Sequence, residues 1–293
     1  MPAYRPPDAA TLAWLGRVVG GEVREVVRLR GGISAAVDRI SVGGHEVVLK
    51  RWIEHDADEP PASLVTRESA ALTALAGSGI PAPTLLAADP SGDDAGGPCL
   101  AMSLVPGEPV LVTGDLAALL PVLAATQAAI HALPADLAAA ADGWFDPEGD
   151  LEWIADAGLR RDVRAAVAAP GRQPVFAHGD YQPFNVLWRG DSLGGVVDWT
   201  NAGTGPRGID VGHCRLNLAV LAGPDAADAY LRAYEQAAGV TVDPGTDLRA
   251  LLHFDLEWPE FIPVQLAGRA GIDVATMPDR VLETVRRTLD RFT

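Results

Sequence analysis

Lysine is almost missing from this chain. Of its 23 basic residues, 22 are arginine and one, Lys50, is lysine. The arginine bias carries no chemical message, but its single exception does, because Arg and Lys are not interchangeable where a compact point charge is needed. Cysteine is scarce as well: Cys99 and Cys214 lie far apart and form no metal or redox spacing, as expected of a reduced protein. No apolar run reaches the ~18 residues of a membrane helix, so no membrane partner is expected. The start from Met1 to Pro6 has neither the basic nor the apolar region of a signal peptide, and a cytoplasmic location is the expectation. A basic face is lacking too. The net charge of −16 speaks against nucleic acid, whose phosphates require one. It is compatible with a cationic small molecule and equally with plain solubility. The six histidines show no H-x-x-x-H metal spacing. The pattern G-x-x-x-x-G-K-[ST] is absent, since Lys50 sits between Leu49 and Arg51, and a P-loop is thereby excluded.

What is present centres on Val175 to Trp199, which reads as strand, polar loop, strand, turn, strand. Val175-Phe176-Ala177 is apolar, and Gly179 and Pro183 keep His178 to Phe184 out of regular structure. Asn185-Val186-Leu187-Trp188 and Gly195-Val196-Val197-Asp198 are two runs joined by the turn-rich Arg189 to Ser192, a hairpin signal. Asp180, Asn185 and Asp198 then stand at strand ends, with the hairpin expected to bring the last two close. Asn and Asp oxygens suit a hard cation such as Mg²⁺, which binds through one or two carboxylates plus substrate phosphates. A carboxylate five residues before the Asn can take a proton from an attacking hydroxyl.

The rest of the chain (293 residues, ample for two lobes) supplies a frame for that stretch. Asp8 is placed to cap a first helix. Three antiparallel strands follow at Glu22 to Leu29, Ala36 to Ile40 and Glu46 to Arg51, with Lys50 closing the third. The turn holding Gly31, Gly32 and Ser34 separates the first two, and such a turn can bring backbone N–H groups onto phosphates. The kinase pattern G-x-G-x-x-G is absent from it. Pro60-Pro61 start a helix that carries Glu68 and stops at Gly77 and Gly79. Two strands are expected at Ala82 to Ala88 and Pro98 to Leu104. Beyond Val105 the pattern turns helical: Asp115 to Pro134 with Pro121 in its first turns, Glu152 through Trp153 to Val167, a helix through Leu221, Asp225 to Ala238, and more to the end. His213 and Cys214 are adjacent, so they point about 100° apart on a helix. They read as core packing rather than a nucleophile pair.

His178-Gly179-Asp180, Asn185 and Asp198 together resemble the catalytic and metal loops of the protein-kinase-like superfamily, H-R-D-x-x-x-x-N followed by D-F-G. The variant here, H-G-D-x-x-x-x-N with Asp198-Trp199-Thr200, is similar to the aminoglycoside phosphotransferase family, which includes antibiotic and choline kinases. The resemblance implies an α+β, bilobal protein-kinase-like fold. Its N-terminal nucleotide-binding lobe (1–105) would be a five-stranded antiparallel sheet plus a helix. Its C-terminal catalytic and substrate-binding lobe (106–293) would be mostly helical. It further implies ATP (or GTP) and Mg²⁺ as cofactors. Asp180 would be the catalytic base, and Asn185 and Asp198 the metal ligands. Lys50 would grip the phosphates and be held by Glu68, with Gly31, Gly32 and Ser34 near the phosphates and Ser103 and Val105 at the adenine hinge. Asp210 would brace the catalytic loop.

The expected activity is transfer of a γ-phosphate to a hydroxyl of a small molecule, an aminoglycoside-type antibiotic or a related cationic or sugar metabolite, with no obligatory protein partner evident. Choline, homoserine, a macrolide or another small alcohol are alternatives. A catalytically silent nucleotide-binding pseudokinase is the reading from another class. Two acidic, Trp-containing stretches are substrate-cleft candidates: Asp146, Glu148, Asp150, Glu152 and Trp153, then Asp255, Glu257, Trp258 and Glu260. A protein kinase is disfavoured, since the interval from Asp198 to Asp210 is too short for an activation loop and has no A-P-E.

Overall fold

The structure, a computed structural model, describes residues 4–29, 35–52, 59–111, 113–138, 151–167, 174–266 and 268–292. The chain divides into two compact units: Met1–Pro106 with Gly195–Thr200, and Gly107–Gly194 with Asn201–Thr293.

In the first unit α1 (Ala9–Val19) is started by Asp8, whose side chain accepts from the Thr11 backbone N–H, and is stopped by Gly20 in the left-handed region. The five strands are β1 (Val23–Arg28), β2 (Ala36–Val42), β3 (His45–Arg51), β4 (Leu85–Asp89) and β5 (Cys99–Ser103). They form one sheet in the order β1-β2-β3-β5-β4, antiparallel throughout. The central strands β3 and β5 are the buried ones, and β1 at the edge is mostly exposed. Lys50 stands opposite Val37 on one side and Leu100 on the other, so its backbone is pinned by both neighbours. Trp14, Leu15, Ile40, Val42, Val47, Leu49 and Ala101 close a core between α1 and the sheet. Helix α2 (Pro61–Leu75) begins with Pro at its first position, where no N–H is needed. Its buried face runs Leu64, Glu68, Leu72, Leu75: apolar at helical spacing except for one carboxylate.

The second unit is mostly helical. It holds β6 (Glu108–Pro109), α3 (Thr113–His131), α4 (Ala157–Ala166), β7 (Pro174–Ala177), β8 (Val186–Arg189), β9 (Ser192–Val196) and β10 (Gly203–Pro206). Then come α5 (Arg207–Ala222), α6 (Pro224–Ala238), α7 (Pro244–Leu251), α8 (Trp258–Leu266) and α9 (Met277–Leu289). Strand β7 pairs antiparallel with β10. Strands β6, β8 and β9 form a second small sheet, and β9 passes from this unit into the first at Gly195. Helix α5 is buried along nearly its whole length, against α7, α6 and α9. Its Arg215 is fully buried and charge-paired with Asp247 of α7 and with Asp228 of α6 at 2.9 Å. A buried guanidinium is tolerated only with such partners, and its fork geometry ties three helices together.

Three local expectations change. Helix α4 starts at Ala157, not Glu152, because Asp156 caps it by accepting from the Gly158 and Leu159 N–H groups. Helix α3 begins earlier than expected, so Pro121 lies well inside it rather than in its first turns, at the cost of one backbone bond. Strand β9 ends at Val196, which leaves Asp198 off the strand with a positive φ of 66°. Asp is among the few side chains that tolerate that region.

Candidate active site

Two polar clusters stand out, one in each unit. In the first, Lys50 is almost fully buried at 4% exposure. Its ammonium donates to Glu68 Oε2 at 2.7 Å, Asp198 Oδ1 at 2.8 Å and the Thr200 hydroxyl at 2.7 Å. An ammonium has three N–H donors, and all three are used. The nitrogen also lies 4.9 Å from the centre of the Trp52 ring. Burial disfavours the charge of Lys50, but the nearby Asp198 and Glu68 carboxylates outweigh it and hold the pKa above its ordinary value. Glu68 is itself buried, and its other oxygen accepts from the Trp199 backbone N–H at 3.3 Å. Asp198 differs in being 41% exposed along its side chain, so this carboxylate alone of the pair can meet a ligand.

The second cluster is built on the loop after β7. Gly179 has a φ of 80°, and a Cβ there would come within 2.3 Å of the Asn201 carbonyl, so only Gly fits. Asp180 follows with its carboxylate 20% exposed. Its Oδ1 accepts from Gln182 Nε2 at 2.5 Å and from His213 Nε2 at 2.8 Å, and its Oδ2 accepts from Asn185 Nδ2 at 2.9 Å. Asn185 closes the single 3₁₀ turn Pro183–Asn185 ahead of β8, with its amide nitrogen also on the Asp180 carbonyl.

Asp210, in the first turn of α5, accepts from the Gly179 N–H at 2.8 Å and the His178 N–H at 3.2 Å. His131 Nε2 reaches it at 2.8 Å and Gln127 Nε2 at 3.0 Å. Burial opposes the charge of Asp210, yet the bonds from His131 and the Gly179 N–H bring its pKa down to about 2. Burial keeps His131 below the usual imidazole range despite Asp210. The neutral ring donates from Nε2 and accepts the Tyr234 hydroxyl at Nδ1, 2.6 Å away. Arg207 donates to that hydroxyl at 2.6 Å, so a chain of hydrogen bonds runs from α5 and α6 through α3 to the loop backbone.

Of the residues singled out by sequence, Lys50, Glu68 and Asp198 come together in the first unit, and Asp180, Asn185 and Asp210 in the second. Ser103 ends β5 in a local exchange with Thr84, donating from its backbone and accepting at its hydroxyl, both at 2.9 Å. Val105 lies beyond the last paired residue of the sheet, half-buried. Gly31, Gly32 and Ser34 lie outside the described residues, as do Asp146, Glu148 and Asp150. Trp153 and Trp258 pack on Phe254, with ring centroids at 5.0 and 5.8 Å, while Glu152, Asp255, Glu257 and Glu260 are exposed. Sequence reasoning missed Thr200, Trp52, Gln182 and His213. Thr200 and Gln182 were within reach, being polar residues two positions from Asp198 and Asp180. His213 was read as core packing, and that is a correction: it is buried, but its Nε2 is spent on Asp180. Its neighbour Cys214 does pack in the core, with its thiol pushed well up by burial. Among the described residues no group of three or more His, Cys, Asp or Glu is arranged to hold a metal, and no helix is long and apolar enough to cross a membrane.

The sequence pattern of the phosphotransferase enzyme family matches residues 25–250. The chain belongs to that family. Its enzyme class is therefore that of a small-molecule kinase. Solved structures agree in fold. A thermostable mutant of an aminoglycoside phosphotransferase, in ternary complex with ADP and hygromycin B, is 15% identical with a TM-score of 0.62, over 95% of this chain and 98% of that one. A macrolide 2'-phosphotransferase from Brachybacterium faecium is 18% identical with a TM-score of 0.59, over 94% and 97%. A choline/ethanolamine kinase family protein from Mesorhizobium loti is 18% identical with a TM-score of 0.58, over 96% and 93%. No curated protein matches the chain. At these identities the structures establish the α+β kinase-like fold and leave the acceptor open.

Proposed function

We propose that this phosphotransferase moves the γ-phosphate of ATP or GTP to a hydroxyl of an aminoglycoside-type antibiotic or a related cationic or sugar metabolite. The observation that carries the transfer chemistry is the hydrogen-bonding of Asp180. Three side chains, Gln182, Asn185 and His213, donate to its carboxylate, which remains partly exposed, and among the described residues no Lys or Arg pairs with it. Such a group orients an acceptor hydroxyl and takes its proton. In phosphoryl transfer the protein's contribution is positioning and charge neutralisation, with little covalent work. Lys50, oriented by Glu68, would grip the nucleotide phosphates as a point charge. Gly31, Gly32 and Ser34 are assigned to the same phosphates, and Ser103 and Val105 to the base of the nucleotide.

Asp198 and Asn185 are assigned to Mg²⁺. Their donors fit a hard cation: Asp198 offers an accessible carboxylate, and Asn185, whose amide nitrogen is turned onto Asp180, offers its carbonyl oxygen. Mg²⁺ held by Asp198 and Asn185 would supply neutralisation of the charge that develops on the transferring phosphoryl group. The lack of a three-residue acidic or imidazole cluster among the described residues suits a metal held in part by phosphates and water. A cationic acceptor is supported by the net charge of −16 and by the exposed Asp255, Glu257 and Glu260.

The test is a panel of aminoglycosides, choline, homoserine, macrolides and sugars, each with Mg-ATP or Mg-GTP, scored by product mass. An 80 Da increase on an aminoglycoside supports the reading, and one on choline or a macrolide alone redirects it. Nucleotide binding with no transfer to any member would instead indicate a silent pseudokinase.

A further inference from the structure

We propose that His213 is a positioning residue for the transfer, acting through Asp180; this rests on the assignment of Asp180 as the group that takes the acceptor's proton. Helix α5 turns two residues toward the catalytic loop at helical spacing, Asp210 and His213. Asp210 holds the loop by its backbone, through the Gly179 and His178 N–H groups. His213 holds it by the side chain that reacts. Its Nε2 lies 2.8 Å from Asp180 Oδ1, and a carboxylate only accepts, so that nitrogen carries the hydrogen. The imidazole is itself confined: its side chain is 8% exposed, and the His253 ring packs against it edge to face at a centroid distance of 6.5 Å. One turn further on, the Asn217 amide nitrogen donates to the His213 carbonyl at 3.1 Å and lies 3.3 Å from His213 Nε2, farther than the 2.8 Å to Asp180.

The geometry divides the carboxylate into two unequal oxygens. Oδ1 is occupied by Gln182 and His213, whereas Oδ2 meets the amide of Asn185. Rotation about the bond to a carboxylate is soft, and the same-loop donors Gln182 and Asn185 hold the plane of the carboxylate only relative to the loop itself. A donor from a buried helix fixes that plane against the core. His213 therefore keeps one carboxylate oxygen engaged and sets the plane in which the other, shared with Asn185, meets the acceptor hydroxyl. Gln182, two residues from Asp180 on the same loop, moves with the loop and cannot supply that external reference.

The experiment compares H213F and H213L, which lack the N–H, with H213Q, which keeps a donor near the same place, and with D180N and D180N/H213F. Each is measured with Mg-ATP and the acceptor the panel identifies, and with Mg-ATP alone, water serving as acceptor. The donor-free variants are expected to lower kcat by about 10- to 100-fold, the scale of a misplaced reacting group, with KM for ATP unchanged within twofold. H213Q should recover most of the loss, and H213F should add nothing in the D180N background. Two donor-free variants of different shape guard against one of them misfolding, and thermal unfolding identifies such a case. A kcat equal to wild type in a folded H213F or H213L overturns the proposal. So does an H213Q no faster than H213F, or a full further loss in D180N/H213F. A D180N enzyme that turns over normally would overturn the assignment of Asp180 itself. Failure at His213 alone leaves that assignment standing.

Discussion

In the first unit a buried cation is held by anions: Lys50 sits between Glu68 and Asp198, with the Thr200 hydroxyl as its third acceptor. In the second unit an anion is held by backbone, amide and imidazole donors: Asp180 receives Gln182, His213 and Asn185, and Asp210 receives two backbone N–H groups, Gln127 and His131. The two arrangements solve different problems. Taking a charge out of water costs several kcal/mol per ion, and opposite charges repay it at close range. Glu68, buried, accordingly fixes the position of the Lys50 ammonium, while Asp198 is the exposed member of the cluster. Hydrogen-bond donors of this kind satisfy a carboxylate without closing it off from solvent, and Asp180 stays partly exposed, as its proposed role of proton acceptor requires.

The largest expected effect comes from exchanging the anion of the second unit for an amide. Asp180→Asn should lower turnover on the order of 10²–10⁴-fold, the usual contribution of a positioned base, while nucleotide affinity measured by calorimetry stays within a few-fold. An unchanged turnover would erase the distinction between the two clusters. Next is the cation of the first unit. Lys50→Met leaves Glu68 buried without its partner and should cost about 3–5 kcal/mol in chemical denaturation, together with loss of nucleotide binding. Lys50→Arg should restore little of either, since a planar fork does not match three converging acceptors. A fully stable Lys50→Met protein would mean that the charges are not locked as described.

Smaller effects sharpen the comparison through pH. Asp210 titrates at about 2 in the folded protein against an ordinary 3.8. The unfolded chain therefore takes up the proton first as pH falls, and the stabilisation is complete above about pH 4 and lost on the way to pH 2. The shift corresponds to about 2 kcal/mol. Denaturation of Asp210→Asn should show the missing stability at neutral pH and a shallower acid slope below pH 4. His253 works at a higher pH and with the opposite charge type. Burial, with His213 beside it, lowers it to about 4 from 6.5, so the folded ring stays neutral while the unfolded one protonates. Stability should decline as pH falls from 6.5 to 4, and His253→Gln should flatten that limb of the profile. A slope unchanged in the variant would place the titration elsewhere.

Much of this was legible in the chain. A lone lysine closing a strand, a carboxylate on the next helix, and Asp and Asn five residues apart in a Gly- and Pro-broken loop are readable because each signal is short-range. The strand order β1-β2-β3-β5-β4 was less so, although the alternation of strands and glycine turns pointed to an antiparallel sheet. Helix starts failed where a cap competed with helical composition, as Asp156 did with the stretch from Glu152. His213 failed for a different reason. A histidine within an apolar helix looks the same whether its ring meets a leucine or a carboxylate.

By itself the sequence determined which chemical groups are present and their local order: the Asp180 carboxylate, the Asn185 amide, the Asp198 carboxylate and one lysine, on segments whose strand or loop character follows from glycine, proline and β-branched residues. Tertiary structure alone decided which of them touch. Lys50 meets Asp198 across 148 residues and His213 meets Asp180 across 33. Such pairs depend on how strands register and helices pack, and packing responds to shape and burial summed over the whole core, leaving no signature in the few residues that finally meet.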